Sequence, residues 1–134
     1  MPVYGVAQAG YNPAPNQGLN LASLEPGESI VLFSGAETPS TGLKSVAFAR
    51  GYSAGVADNG ITFDATGMPS DMTIDVQVAN NDIDAQYTSV ATLSASTTPD
   101  TGNAAYTDTG RSAFYRLYVS AYTAGTMPKV KAQR

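Results

Sequence analysis

Hydrophobic and polar residues alternate most cleanly over Met72–Ala79, where Met72, Ile74, Val76 and Val78 share one face and Thr73, Asp75 and Gln77 the other. A period of two is the mark of a half-buried strand, because successive side chains leave a strand on opposite sides. A second and longer pattern covers Ala113–Tyr122. It places Tyr115, Leu117, Val119 and Ala121 against a core, and Phe114, Arg116, Tyr118, Ser120 and Tyr122 outward. Its aromatic and β-branched content predicts the central strand of an antiparallel sheet. Shorter runs fill in the rest. Leu19–Leu24 alternates, Ser29–Ser34 reads as a buried strand, and Leu43–Arg50, Ile61–Asp64, Ala105–Asp108 and a strand around Val130 follow. Tyr87–Leu93 would bury Tyr87, Val90 and Leu93, and the slip in its period predicts a bulge.

Turn chemistry separates these runs. In Glu25-Pro26-Gly27-Glu28, proline presets φ and glycine supplies a positive φ; Asn59-Gly60, Gly67-Met68-Pro69-Ser70, Asn80-Asn81-Asp82 and Thr109-Gly110-Arg111 are the other breaks. Segments 35–42, 51–58 and 94–103 read as loops. Eight or nine short strands at this spacing, with no helical window, predict an all-β chain folded as an antiparallel β-sandwich. Jelly-roll connectivity is one order that would suit it. Residues 19–134 would form the sandwich. Residues 1–18, with Pro2, Pro13 and Pro15 among three glycines, would form an extended N-terminal arm. Val3, Tyr4, Val6 and Tyr11 are costly to leave in water, so the arm is expected to lie on a surface of its own subunit or of a neighbour.

Composition narrows the chemistry. Charged residues make up 13% of the 134, about half the usual share. Such a surface suits packing against other proteins better than repelling them. The net charge of −4 argues against nucleic acid, whose phosphates demand a basic stripe. Lys129, Lys131 and Arg134 read as a solvated tail. Cysteine and histidine are both absent, which removes thiolate nucleophiles, the commonest general base and the commonest transition-metal ligands. No apolar run reaches membrane-spanning length, and the leading residues lack signal-peptide character. The expectation is a protein made in the cytoplasm, soluble, without a membrane partner.

Candidate sites are few. Asp82 and Asp84, with Asn80, Asn81 and Asp75, offer oxygen ligands but lack the glycine and glutamate of a calcium loop, and read as a hairpin turn. The three glutamates, Glu25, Glu28 and Glu37, are not set across a cleft for glycoside hydrolysis. Serine and threonine hydroxyls have no histidine to activate them. No enzyme, cofactor or metal is expected. What carries functional content is a surplus of rings: Tyr52, Tyr87, Tyr106, Phe114, Tyr118 and Tyr122. Arg116, among tyrosines, would stack on a ring or pair with Asp75 or Asp108.

Residues 72–132 carry one resemblance. It consists of Ile74-Asp-Val-Gln-Val-Ala-Asn-Asn-Asp82, then Tyr87-Thr-Ser-Val90, then Tyr106-Thr-Asp-Thr-Gly110 leading into Tyr115-Arg-Leu-Tyr-Val119 and Thr123-Ala-Gly-Thr126. The pattern resembles small structural proteins of tailed bacteriophages, and the chain looks like a capsid decoration (cement) protein. Discoidin-like carbohydrate-binding sandwiches share parts of it, but Ile83 replaces their glycine and Tyr87 their tryptophan. The resemblance implies a virion protein on the capsid exterior that bridges major capsid subunits and associates as a homo-oligomer, dimer or trimer. Its partner contacts would come from Val3, Tyr4, Tyr11, Phe114, Arg116, Tyr118 and Tyr122. A carbohydrate-binding module and a tail or baseplate component are the alternatives.

Overall fold

The computed structural model describes residues 21–51, 60–95 and 103–134. Nine strands form among them: β1 (Ala22–Leu24), β2 (Ser29–Phe33), β3 (Phe48–Arg50), β4 (Ile61–Thr66), β5 (Met72–Ala79), β6 (Thr88–Ser94), β7 (Ala104–Asp108), β8 (Phe114–Tyr122) and β9 (Lys129–Gln133). One turn of 3-10 helix, Asp84–Gln86, joins β5 to β6. The expected arm, with Val3, Tyr4 and Tyr11, lies outside the described residues, as do Tyr52, Asn59 and most of the loops 51–58 and 94–103.

The strands divide into two sheets, of order β1-β3-β8-β5-β6 and β2-β9-β4-β7. All pairings are antiparallel except β1 with β3. The all-β sandwich expected from the strand pattern is the fold. The pairs β2–β9, β3–β8, β4–β7 and β5–β6 nest inside one another, so strands adjacent in sequence mostly fall in opposite sheets. Strand β8 is central in its sheet, as its composition predicts.

Between the sheets lies one apolar core. Ile74, Val76, Leu117 and Val119 from one sheet meet Ile61, Phe63, Val130 and Ala132 from the other. Phe48, Phe63 and Tyr115 pack as a ring triad at centroid separations of 5.5, 6.0 and 6.2 Å. Each such pair adds about 0.5–1.5 kcal/mol beyond burial alone. The Tyr115 hydroxyl would be stranded in this core, but it donates to Asp108 Oδ2 at 2.7 Å. Tyr106 donates to the other oxygen at 3.2 Å, and this satisfies a carboxylate that is only 7% exposed.

Turn chemistry follows the sequence where it was explicit. Gly27 sits at φ 86° and the Glu28 N–H reaches Glu25 O at 3.0 Å, the geometry that Pro-Gly favours.

Several facings differ from a strict period of two, and each difference has an extra residue behind it. In β6, Ser89 and Ala91 oppose the consecutive Gln77 and Val76, so Val90 is the surplus residue of a bulge. The expected bulge is there, but it turns Val90 to solvent at 45% exposure instead of into the core. In β8, Val119 and Ala121 oppose the consecutive Ile74 and Thr73, which makes Ser120 surplus. Beyond it the faces exchange: Ala121 is exposed, and Tyr122 packs against the core instead of pointing outward. In β2 a shift at Leu32 brings both Leu32 and Phe33 inward. This strand lies at a sheet edge with Val31 exposed, so it is not the fully buried strand its composition predicts.

Two further expectations are corrected. Leu43–Arg50 is not one strand. Around the Lys44–Tyr118 bridge, residues 42–45 exchange backbone hydrogen bonds with Val119 and Leu117 of β8; the segment then leaves β8 and rejoins it as β3. The C-terminal cations are not a solvated tail either. Lys129 and Lys131 belong to β9, an interior strand of the four-stranded sheet, and Arg134 Nη1 donates to Leu24 O and Gly51 O at 2.7 Å each. Alternating Val130 and Ala132 fill the core, and that burial outweighs the preference of the lysines for water.

Candidate functional site

Registers between β5 and β8 place Gln77 opposite Arg116 and Asp75 opposite Tyr118 on the outer face of the five-stranded sheet. There Arg116 is the hub. Its Nε donates to Gln77 Oε1 at 2.8 Å, its Nη1 to Asp84 Oδ1 at 2.6 Å, and its guanidinium carbon lies 4.0 Å from the centroid of the Tyr87 ring. The Tyr87 hydroxyl donates in turn to Asp82 Oδ1 at 2.8 Å. Arg116 therefore both stacks and pairs, as expected of a cation among rings. The ring is Tyr87 and the carboxylate is Asp84, not Asp75 or Asp108.

The network continues across the sheet. Gln77 Nε2 reaches Ser89 Oγ at 3.4 Å, and Ser89 Oγ donates to Asp75 Oδ2 at 2.8 Å. Ser120 Oγ lies 2.9 Å from Asp75 Oδ1. The bulge residue of β8 thus caps the carboxylate that its own displacement brings within reach. Lys44 Nζ adds a second cation, 3.8 Å from Asp84 and 5.7 Å above the Tyr118 ring.

Electrostatics follow from these contacts. The hydrogen bond from Arg116, then its charge and that of Lys44, hold the Asp84 carboxyl below its ordinary value. Burial, reinforced by the bond to Asp82, pushes the Tyr87 hydroxyl well above the usual tyrosine range. Tyr87 therefore remains a donor at every physiological pH. Charge-assisted bonds of this kind are short and directional, so the face is held in one arrangement.

Beside Arg116 lies a groove of about 450 Å³, walled by Leu21, Ala22, Val46 and Ala47, with Ser45, Asp82 and Arg116 as its polar lining. It lies where the chain steps away from β8 after Ser45, whose N–H still donates to Leu117 O at 3.0 Å. The Ser45 side chain stands in for a strand there, its Oγ accepting the Leu117 N–H at 2.8 Å. Val46 is left 63% exposed.

The expected contact residues are distributed unevenly. Phe114, Arg116 and Tyr118 share the outer face, each half-buried. Tyr122 is separated from them by the Ser120 bulge, and its hydroxyl donates to Gly125 O at 3.1 Å. Gln77 and Lys44 belong to the face but carry no signal in the sequence as site residues, and Asp84, read there as a carboxylate of the β5–β6 turn, is the partner of Arg116. Asp82 and Asp84 are each engaged by a protein donor. Among the described residues no group of three or more metal-ligating side chains is clustered. No known protein family, curated protein or solved structure matches the chain.

Proposed function

We propose that the chain is a structural protein of a virion, a head decoration protein that clamps the outside of a capsid by bridging major capsid subunits. The observation that carries this reading is the outer face of β8 and β5. It is a pre-ordered surface of half-buried rings and neutralised charges in which Arg116, Asp84, Gln77 and Tyr87 satisfy one another. A face already fixed in shape loses little entropy on docking, which favours a protein partner over a reaction. Aromatic residues and arginine are the side chains that dominate protein interfaces. The nested pairing of strands supports jelly-roll connectivity, an architecture used in capsid and lectin domains.

Bound only to the assembled shell, such a clamp stabilises it by mass action. The arm at residues 1–18, with Val3, Tyr4 and Tyr11, and the outward Phe114, Arg116 and Tyr118 supply the contacts, and association as a dimer or trimer multiplies them. A sugar platform is less well served by this face. Tyr87 and Tyr118 each already carry a cation over the ring that a sugar would stack upon.

Quantitative mass spectrometry of purified particles, separated into heads and tails, tests the reading. The protein is expected on heads in copy numbers commensurate with the capsid subunits. Its confinement to tails, or its absence from particles, overturns the head assignment.

A further inference from the structure

The groove beside Arg116 ends at the point where residues 1–20 join the described fold, because Leu21 is part of its wall. Its lining is mixed. Leu21, Ala22, Val46 and Ala47 offer apolar contact, and Asp82 and Arg116 offer an acceptor and a donor. Val46, at 63% exposure, is the most exposed large hydrophobic residue among those described. A surface of this kind fits a side chain with an apolar body and a hydroxyl tip.

Residues 1–20 contain two such side chains, Tyr4 and Tyr11, together with Val3, Val6 and Leu19, and not one Asp, Glu, Lys or Arg. A charge-free segment carrying rings and β-branched residues has the composition of something that binds apolar surface, not of a solvated tail. Tyr11 precedes Leu21 by ten residues. Fully extended they span about 33–36 Å, more than enough to turn back at Asn12-Pro13 and reach a wall beside Leu21.

We propose that the groove receives the chain's own leading segment, with the ring of Tyr11 against Val46 and Ala47 and its hydroxyl at Asp82 or Arg116. The covalent link makes this an intramolecular event, with an effective concentration in the millimolar range for a short linker, so a modest contact suffices. The docked segment would extend the outer face of the five-stranded sheet. The inference concerns the isolated subunit and stands or falls separately from any role on a capsid.

The chain has no tryptophan, so Tyr11→Trp in the full chain installs a single reporter. A blue-shifted emission, with quenching by acrylamide several-fold weaker than for free tryptophan, is expected. Both should be lost in the double variant with Val46→Asp, whose site is exposed enough to leave the circular dichroism spectrum unchanged. Should Val46→Asp perturb folding, Ala22→Asp in the β1 part of the wall serves the same purpose. In the chain with its native tyrosine, Tyr11→Ser should speed amide exchange at Val46 and Ala47. Solvent-like emission in the full chain, or emission indifferent to both groove substitutions, overturns the proposal. So does unchanged exchange at Val46 and Ala47. A blue shift that disappears on dilution would assign the occupant to a second copy, and that too contradicts docking within one chain.

Discussion

At the scale of single residues, Arg116 shows how a charge can be kept in a sheet that must also bury its neighbours. Its side chain is 11% exposed, and its contacts come from different parts of the chain: Gln77 from β5, Asp84 from the 3-10 turn, and the Tyr87 ring from just before β6. Removing it leaves the 9% exposed Gln77 without its strongest partner. Arg116→Ala is expected to destabilise the fold by about 1–3 kcal/mol in urea titrations, the usual cost of orphaning a buried polar group. Asp84, the exposed end of the same pair, acts through pH. Its folded pKa lies below the ordinary 3.8, so the stability it adds is present above that value and fades as pH falls through the folded pKa. Thermal melts should show the native protein more stable than Asp84→Asn near neutrality, with the gap closing below about pH 3.8. Glu37 is also lowered: burial pushes it up, but bonds from the Ser34 and Gly35 amides outweigh this. It is common to both proteins and drops out of the comparison. A gap that widens on acidification would contradict the Arg116–Asp84 pairing.

At the scale of elements, the bulges decide which residues reach the core. Val90 and Leu93 both stand in the apolar positions of β6, yet one is expelled at 45% exposure and the other is 1% exposed. Val90→Thr should change stability by no more than about 0.5 kcal/mol, as for a surface position. Leu93→Ala should cost about 2–5 kcal/mol, as for a core truncation. Equal losses in both would mean that the bulge is misplaced. The turn before β4 is equally specific. Gly60 holds φ at 96°, and a Cβ there would meet the Asp108 backbone, with the carbonyl carbon at 3.1 Å and Thr109 Cα at 3.3 Å. Both strain and collision oppose a side chain. Gly60→Ala should therefore lower stability by more than about 1 kcal/mol, read as a lower urea midpoint. These effects also mark how far the sequence was legible. The bounds and inward face of β5, the central place of β8 and the Pro-Gly turn after β1 all follow from local pattern. Tyr122 and Val90 were misplaced because one surplus residue reverses every facing beyond it, and periodicity does not say where that residue falls.

At the scale of the whole molecule, the two-sheet architecture was readable because strand spacing and turn residues are local signals, whereas the site was only half readable. Phe114, Arg116 and Tyr118 lie on one face because they alternate along β8. That Asp84 closes over Arg116, and Lys44 over Tyr118, depends on a turn and a crossing segment folding back onto the sheet, which is a tertiary event. Likewise Lys129, Lys131 and Arg134 look like a tail until β9 is seen between β2 and β4. The same organisation separates two outer faces: the Arg116–Tyr118 network on one sheet, and on the other a plain run that includes the Thr62–Thr107 hydroxyl pair at 2.9 Å. The reading of the molecule as a clamp rests on the first face being the one that docks. Co-sedimentation with purified heads stripped of the protein tests this most directly, comparing the native chain, Tyr118→Asp and Thr62→Asp, each with an unchanged circular dichroism spectrum. The account predicts that the native chain and Thr62→Asp pellet with heads while Tyr118→Asp stays in solution. Full binding by Tyr118→Asp, or no binding by the native chain, would contradict it.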